Sequence, residues 1–386
     1  MLITSLFGLL ISAGSAFSAE MTDEMLRQIK LEDLGRSLFF DVNLSYQRTQ
    51  SCATCHDPAQ AFTDWRKSGV GAAASLGDDM VSLGDRNAPT ASYAALTPEF
   101  HLREDGEYVG GQFLDGRESD LEGQAGGPPL NPLEMGMPDK ASVVERLVES
   151  PVYLHAFKNL FGEEVFASVE NAYRVMTESI AAFERSEFFS PFDSKYDRYV
   201  EGKYELTEQE ELGMTLFFSE QFTNCNQCHQ LNTFPGSARE TFTNYRYNNI
   251  GVPTNARLRE ANGLGNEHVD HGLLENPGID DLTQDGKFKV PSLRNVAITG
   301  PYMHNGVFSD LRTVVLFYNK YNARGSKAQL NPETGLAWGE PEVAENIATQ
   351  ELESGPALDR KRIDALLAFM KTLTDKRYEA LVQYQD

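Results

Sequence analysis

The sequence is short of basic charge, histidine, tryptophan and cysteine, and it holds a single long apolar run. Lys and Arg number 34 against 57 Asp and Glu, a formal net charge of −23 over 386 residues. A chain so acidic does not bind by neutralising phosphates, so charge-driven nucleic-acid binding is excluded. The apolar run, Leu2 to Phe17, sits at the N-terminus and gives way to Ser18, Ala19 and the acidic Glu20. It is too short, and too poorly flanked by charge, for a retained spanning helix. Residues 1–19 therefore read as a secretory signal cleaved near Ala19, although the usual basic n-region is missing. No second such run follows, so the expectation is an exported, periplasmic protein with no membrane contact after cleavage. Hydrophobic residues make up 41% of the chain and aromatics 10%. That is enough for packed cores, which removes the disordered and fibrous classes.

The four cysteines form two tight pairs, each followed by histidine: Cys52-Ala-Thr-Cys55-His56 and Cys225-Asn-Gln-Cys228-His229. C-x-x-C-H is the attachment signature of a c-type haem, in which two thioethers hold the porphyrin and the adjacent imidazole meets the iron. A zinc ribbon needs its cysteine pairs close together in sequence, and these are far apart. A redox dithiol explains neither histidine. Two covalent haems account for every cysteine.

The same phrase precedes both motifs, Gly35-Arg-Ser-Leu38-Phe39-Phe40 and Gly213-Met-Thr-Leu216-Phe217-Phe218. Such self-similarity points to duplication of one helical cytochrome unit. The fold expected is mainly α, with two cytochrome c-like haem domains and long irregular loops at 66–89, 123–139 and 233–286. The apolar helical pattern of Ala167 to Arg185 breaks at Ser190-Pro191, and Thr207-Glu-Gln-Glu210 forms a capping box that opens the next helix. The boundary is thus expected between Ser190 and Leu206, dividing the chain into a domain over 20–195 and another over 196–386. Further helices are predicted over Ala141–Glu149, Ser309–Asn319 and Leu358–Leu373.

A two-haem carrier needs both irons closed, whereas peroxide chemistry needs one open iron with an acid/base group above it. Beyond His56 and His229 the histidines are His101, His155, His268, His271 and His304, and none lies between Asp57 and Phe100. The pair His268/His271 with Asp270 reads as surface loop.

Several further stretches are distinctive: Asp85-Arg-Asn87-Ala-Pro-Thr90, Phe113-Leu-Asp115-Gly116-Arg117, Gln124, Asn131-Pro132-Leu-Glu134-Met135, Val290 to Val296, and Gly300-Pro301-Tyr-Met-His-Asn-Gly306. With the two haem motifs they make most of the chain resemble the bacterial di-haem cytochrome c peroxidase/MauG family. The resemblance implies a peroxide-reactive haem on His56 and an electron-supplying haem on His229. Conventional family members place a histidine over the first iron in the resting state. The corresponding segment here, Gly77 to Gly84, has none, which implies an open iron as in the MauG-like branch. Met80 within it reads as a surface methionine.

The resemblance also implies roles for single residues. Glu134 matches the distal carboxylate that moves the peroxide proton, and Gln124 matches a second distal-pocket residue. Tyr318 matches the tyrosine that closes the second iron in the MauG-like branch, although periodicity alone, with Leu311, Val314 and Val315, reads it as a core residue. Met303 is the alternative ligand. Asn87, Thr299 and Pro301 match the oxygen donors of an inter-domain calcium ion, a hard cation suited to amide and carbonyl oxygen. The implied activity is reaction with hydrogen peroxide, a bis-Fe(IV)-type state shared by both haems, and oxidation of a residue, such as tryptophan, on a partner protein. Two departures stand out. Leu114 replaces an inter-haem tryptophan, and Thr223 replaces a tryptophan before the second haem motif. Both point away from methylamine dehydrogenase maturation and toward another protein substrate, such as that of the methanobactin-associated type. The alternatives are a conventional peroxidase fed by a small cytochrome and a non-enzymatic di-haem carrier.

Overall fold

The computed structural model describes residues 23–231 and 239–382. The signal segment over 1–19 and residues 233–238 of the third long loop lie outside the described residues. In the first half the helices are α1 (Asp23–Phe39), α2 (Cys52–Cys55), α3 (Leu121–Gly126), α4 (Lys140–Glu149), α5 (Pro151–Phe161) and α6 (Val169–Glu184). Then come α7 (Lys195–Val200), α8 (Glu208–Phe217), α9 (Ala256–Ala261), α10 (Leu311–Asn319), α11 (Thr349–Leu352), α12 (Arg360–Lys371) and α13 (Glu379–Val382). Strand structure among the described residues is confined to two antiparallel ladders, β1 (His101–Leu102) with β2 (Tyr108–Val109) and β3 (Tyr247–Asn248) with β4 (Phe288–Lys289).

The repeated phrase has a steric cause. α1 packs on α6 and α8 on α12. A Cβ on Gly35 would lie 1.8 Å from the Ser179 carbonyl oxygen and 3.0 Å from Phe183 Cβ. A Cβ on Gly213 would lie 1.9 Å from the Ala365 carbonyl oxygen and 2.8 Å from Phe369 Cβ. In both pairs glycine lets two helix backbones touch, and a phenylalanine one turn further on the partner helix closes the contact. The following Leu38-Phe39 and Leu216-Phe217 are buried. The Thr207 capping box forms, with the Thr207 N–H donating to Glu210 Oε2 at 2.8 Å and the Glu210 N–H to Thr207 Oγ1 at 3.3 Å. Thus the start of α8 satisfies two otherwise orphaned donors.

Each half has its own apolar cluster. One is built from residues between Leu34 and Phe189, including Phe39, Phe62, Met176 and Phe183. The other is built from residues between Tyr196 and Leu373, including Phe217, Phe242, Val315 and Phe369. Between them runs a buried polar seam. Asp375 accepts from the Tyr93 hydroxyl of one half and from Asn295 Nδ2, at 2.9 Å, of the other. Arg86 reaches across to Asp270, 2.6 Å, and Glu275, 2.8 Å, while also holding Asp115. Asp270 is therefore 1% exposed, which corrects its reading as surface loop: a bidentate arginine draws it inside. The neighbouring His271 remains exposed and bonds Asp285.

Candidate haem sites

The two C-x-x-C-H motifs fold alike. Cys52–Cys55 forms one helical turn capped by Ser51, and the His56 N–H closes onto the Cys52 carbonyl at 2.9 Å. Cys225–Gln227 forms a 3₁₀ turn, and the His229 N–H closes onto the Cys225 carbonyl at 3.0 Å. Each imidazole donates its Nδ1–H to a phenylalanine carbonyl, His56 to Phe62 at 3.1 Å and His229 to Phe242 at 3.0 Å. Both phenylalanines have left-handed backbone, φ 57° and 56°. That conformation turns the carbonyl onto the ring. With Nδ1 occupied, Nε2 keeps its lone pair for a metal. Burial holds both imidazoles below the ordinary range, His229 at about 4, against the pull of the phenylalanine carbonyls. It also pushes all four thiols up. No disulfide forms, and among the described residues no cluster of three or more His, Cys, Asp or Glu is placed to hold a metal ion.

The duplication extends past the motifs. Thr90 Oγ1 donates to the Ala61 carbonyl at 2.5 Å, and Ser292 Oγ to the Thr241 carbonyl at 2.8 Å. Tyr93 and Asn295, φ 61° and 60°, each open a short 3₁₀ turn. In each copy the accepting carbonyl lies one residue before the phenylalanine that holds the imidazole, and the left-handed residue lies three residues after the hydroxyl donor.

Around the first motif, Arg66 lays a guanidinium on Cys55 Sγ at 3.3 Å while paired to Asp64. Glu134 follows the turn Asn131-Pro132-Leu133, and its carbonyl accepts from Asp78 N–H at 2.7 Å. Its side chain is half-buried. Burial raises its carboxyl above the ordinary range, with Arg117 opposing and Asp85 adding. Glu134 also contributes to raising both Cys52 and Cys55, which places its charge beside the first motif. Gln124 lies on α3, half-buried, and its side chain has no hydrogen bond among the described residues. Met80 is 56% exposed, with left-handed backbone at φ 59°.

Around the second motif is a cavity of about 360 Å³ whose wall includes Cys225, Cys228, His229, Leu311, Val314, Val315 and Tyr318. The apolar stripe of α10 is therefore cavity lining. Burial, with a smaller contribution from the Cys228 and Cys225 thiols, raises the Tyr318 phenol. Its ring meets Phe317 edge-on, and its hydroxyl makes no hydrogen bond among the described residues. Met303 lines the same cavity but packs against the cluster of Phe308, Phe317 and Trp338. Asn87, Thr299 and Pro301 are brought to this wall too. Asn87 Nδ2 donates to the Ala72 carbonyl at 3.0 Å, which leaves Oδ1 for another partner. Thr223 is buried, with Oγ1 donating to the Leu216 carbonyl at 2.6 Å.

One residue of the site, Lys289, carries no sequence signal. Lys289, on β4, lines the cavity and donates Nζ–H to the Gly111 carbonyl, and burial lowers its ammonium to about 7. The one carboxylate acting on it, Asp115, is already held by Arg86 and Arg117. Buried ammonium groups require an anion, and a c-haem brings two carboxylates. Phe113 and Leu114 line the same cavity, and Arg117 lies 3.6 Å above the Phe113 ring while also acting on Glu134. Cysteine pairs, an imidazole with Nε2 unoccupied, an unpartnered phenol and a buried cation together fit a ligated, carboxylate-bearing porphyrin.

Two C-x-x-C-H sites on a duplicated helical unit define a di-haem protein of the cytochrome c type. A family model described as di-haem cytochrome c peroxidase matches residues 30–205. The chain is 55% identical to the methylamine utilization protein MauG of Paracoccus denitrificans, over 97% of this chain and 95% of that one. It is similar in structure to the diheme peroxidase BthA of Burkholderia thailandensis, with a TM-score of 0.79 and 31% identity over 91% of this chain and 87% of that one. A MauG-like protein associated with microbial copper homeostasis gives a TM-score of 0.66 and 29% identity over 90% of each chain. The chain belongs to the di-haem cytochrome c peroxidase/MauG family, and it is a MauG-like di-haem oxidoreductase acting on hydrogen peroxide.

Proposed function

We propose that hydrogen peroxide reacts at the N-terminal haem and that the oxidising equivalents are passed to a residue of a partner protein. In this reading the haems are joined through Cys52/Cys55 and Cys225/Cys228, with His56 and His229 as proximal ligands in domains dividing near residue 195. When bound, the two haems supply the irons at which peroxide is cleaved and electrons are stored. The chain supplies proton control. Glu134, its carboxyl raised by burial, takes a proton from peroxide and returns it to the departing hydroxyl, which leaves as water. Such acid/base help contributes about 10²–10⁴-fold. Gln124 offers its amide to the bound oxygen. Asn87 Oδ1 with oxygens of Thr299 and Pro301 takes the calcium ion.

The observation that carries the MauG-like reading over a conventional peroxidase is the Tyr318 phenol, half-buried and without a hydrogen bond among the described residues, on the wall that also holds His229. Phenolate is a hard anionic donor and stabilises the higher oxidation states of iron, where thioether stabilises the lower. Among protein partners, the 55% identity to the methylamine utilization relative weighs against the expectation from Leu114 and Thr223, so a methylamine dehydrogenase awaiting maturation is the first protein substrate to test. Among the described residues no helix is long and apolar enough to cross a membrane. The test is ferric EPR of the holoprotein, which should give one high-spin and one low-spin haem. Tyr318→Phe should change the low-spin component alone, and Glu134→Gln should slow the peroxide reaction about 100-fold or more with both haems retained. Two low-spin signals would refute the open iron.

A further inference from the structure

The chain has two tryptophans, and their settings are opposite. Trp338 is buried among Phe308 and Phe317 and donates its Nε1–H to the neutral Ala328 carbonyl at 2.8 Å. Trp65 is 57% exposed and donates its Nε1–H to Asp57 Oδ2 at 2.7 Å. Asp57 is peptide-bonded to His56. Its second oxygen accepts the Ala59 N–H at 2.8 Å, and its backbone is tied to Phe62 and Thr63 at 2.8 and 3.3 Å. The carboxylate is thereby fixed in orientation. The next residue, Arg66, bonds Cys55 Sγ and Asp64. One end of the indole thus faces solvent, and the other is tied by one hydrogen bond and one peptide link to the first haem's imidazole.

We propose that Trp65 is the surface relay through which oxidising equivalents leave the N-terminal haem toward an aromatic one-electron donor on a partner protein. The proposal rests on the peroxide reaction described above. One electron leaves the indole and reduces the peroxide-oxidised centre by one equivalent. Loss of an electron makes the indole N–H strongly acidic, and its proton crosses the existing hydrogen bond to Asp57 Oδ2, leaving a neutral indolyl radical. An electron from the donor and the proton from Asp57 then restore Trp65, and the donor is left oxidised by one electron. A fixed carboxylate at the N–H makes this oxidation easier than at Trp338, where a carbonyl cannot accept the proton.

The test uses the two-haem holoprotein, hydrogen peroxide, and ABTS as a bulky one-electron donor probe. Trp65→Phe, at an exposed position where folding is undisturbed, should lower ABTS turnover tenfold or more while the peroxide-induced change in the haem absorption band keeps its rate. Asp57→Asn retains the cap on Ala59 but removes the proton acceptor, and should lower turnover several-fold. Peroxide without donor should add oxygen to Trp65, seen by peptide mass mapping, and ABTS should suppress it. Full ABTS turnover by Trp65→Phe, or an equal loss of the peroxide reaction itself, would overturn the relay while leaving the peroxide reading intact. A wild-type absorption band that ignores peroxide would overturn that reading and the relay with it.

Discussion

Glu184 ends α6 and is 5% exposed, and its Oε2 has no hydrogen-bond partner. The adjacent Arg185 gives it little, because both guanidinium arms are taken by Glu122 at 2.7 and 2.8 Å. Burial therefore raises the Glu184 carboxyl from 4.5 to about 8, with Arg185 opposing and Glu122 adding to the rise. The folded protein binds this proton more tightly than the unfolded chain does. The stability it contributes is complete below pH 4.5 and is lost as the pH climbs through about 8. At about 1.4 kcal/mol per pH unit between those values, the ceiling is roughly 5 kcal/mol, and relaxation of the site brings an effect of roughly 2–3 kcal/mol within reach. Glu184→Gln keeps the shape and stays neutral. Thermal unfolding of the holoprotein at one scan rate should show nearly equal midpoints for the variant and wild type at pH 5. At pH 8.5 the variant should melt several degrees higher. A midpoint difference that is the same at both pH values would refute the argument, because substitution effects unrelated to the proton do not depend on pH in this window.

Two other perturbations follow from single distances or single charges. Gly35→Ala and Gly213→Ala each drive a methyl group into a facing helix carbonyl, and each should cost about 3 kcal/mol. Denaturant midpoints should show the two costs adding in the double variant, since the contacts lie in separate clusters. Lys289→Met removes the buried cation from the second haem's cavity and makes reduction there harder. The midpoint potential of the low-spin haem should fall by about 60 mV or more, a tenfold change for one electron, and Lys289→Arg should recover most of it. An unchanged potential in Lys289→Met would show that no porphyrin carboxylate meets this side chain.

The parts of this protein that could be read in advance are those where chemistry or steric contact tolerates few residue types. C-x-x-C-H is one, and the glycine of G-x-x-L-F-F is another, since only glycine lets α1 meet α6 and α8 meet α12. Helix extents were legible to within two residues for the same reason: Ala167–Arg185 became Val169–Glu184, and Leu358–Leu373 became Arg360–Lys371. The helix expected from Ser309 starts at Leu311 because Asp310 caps the Arg312 N–H at 2.8 Å while Ser309 is bound by Glu333. What stayed hidden depends on tertiary neighbours. Lys289 and Glu184 look like surface charges in sequence, and only folding shows that their partners are already taken. Tyr318 exposes a deeper ambiguity. A stripe of Leu311, Val314, Val315 and Tyr318 has the same period whether it faces packed side chains or the wall of a cofactor cavity, because both are apolar. Hydrophobic periodicity reports the dielectric a helix faces, and the identity of what fills that space has to come from a polar atom on that wall with no hydrogen bond among the described residues, here the Tyr318 hydroxyl.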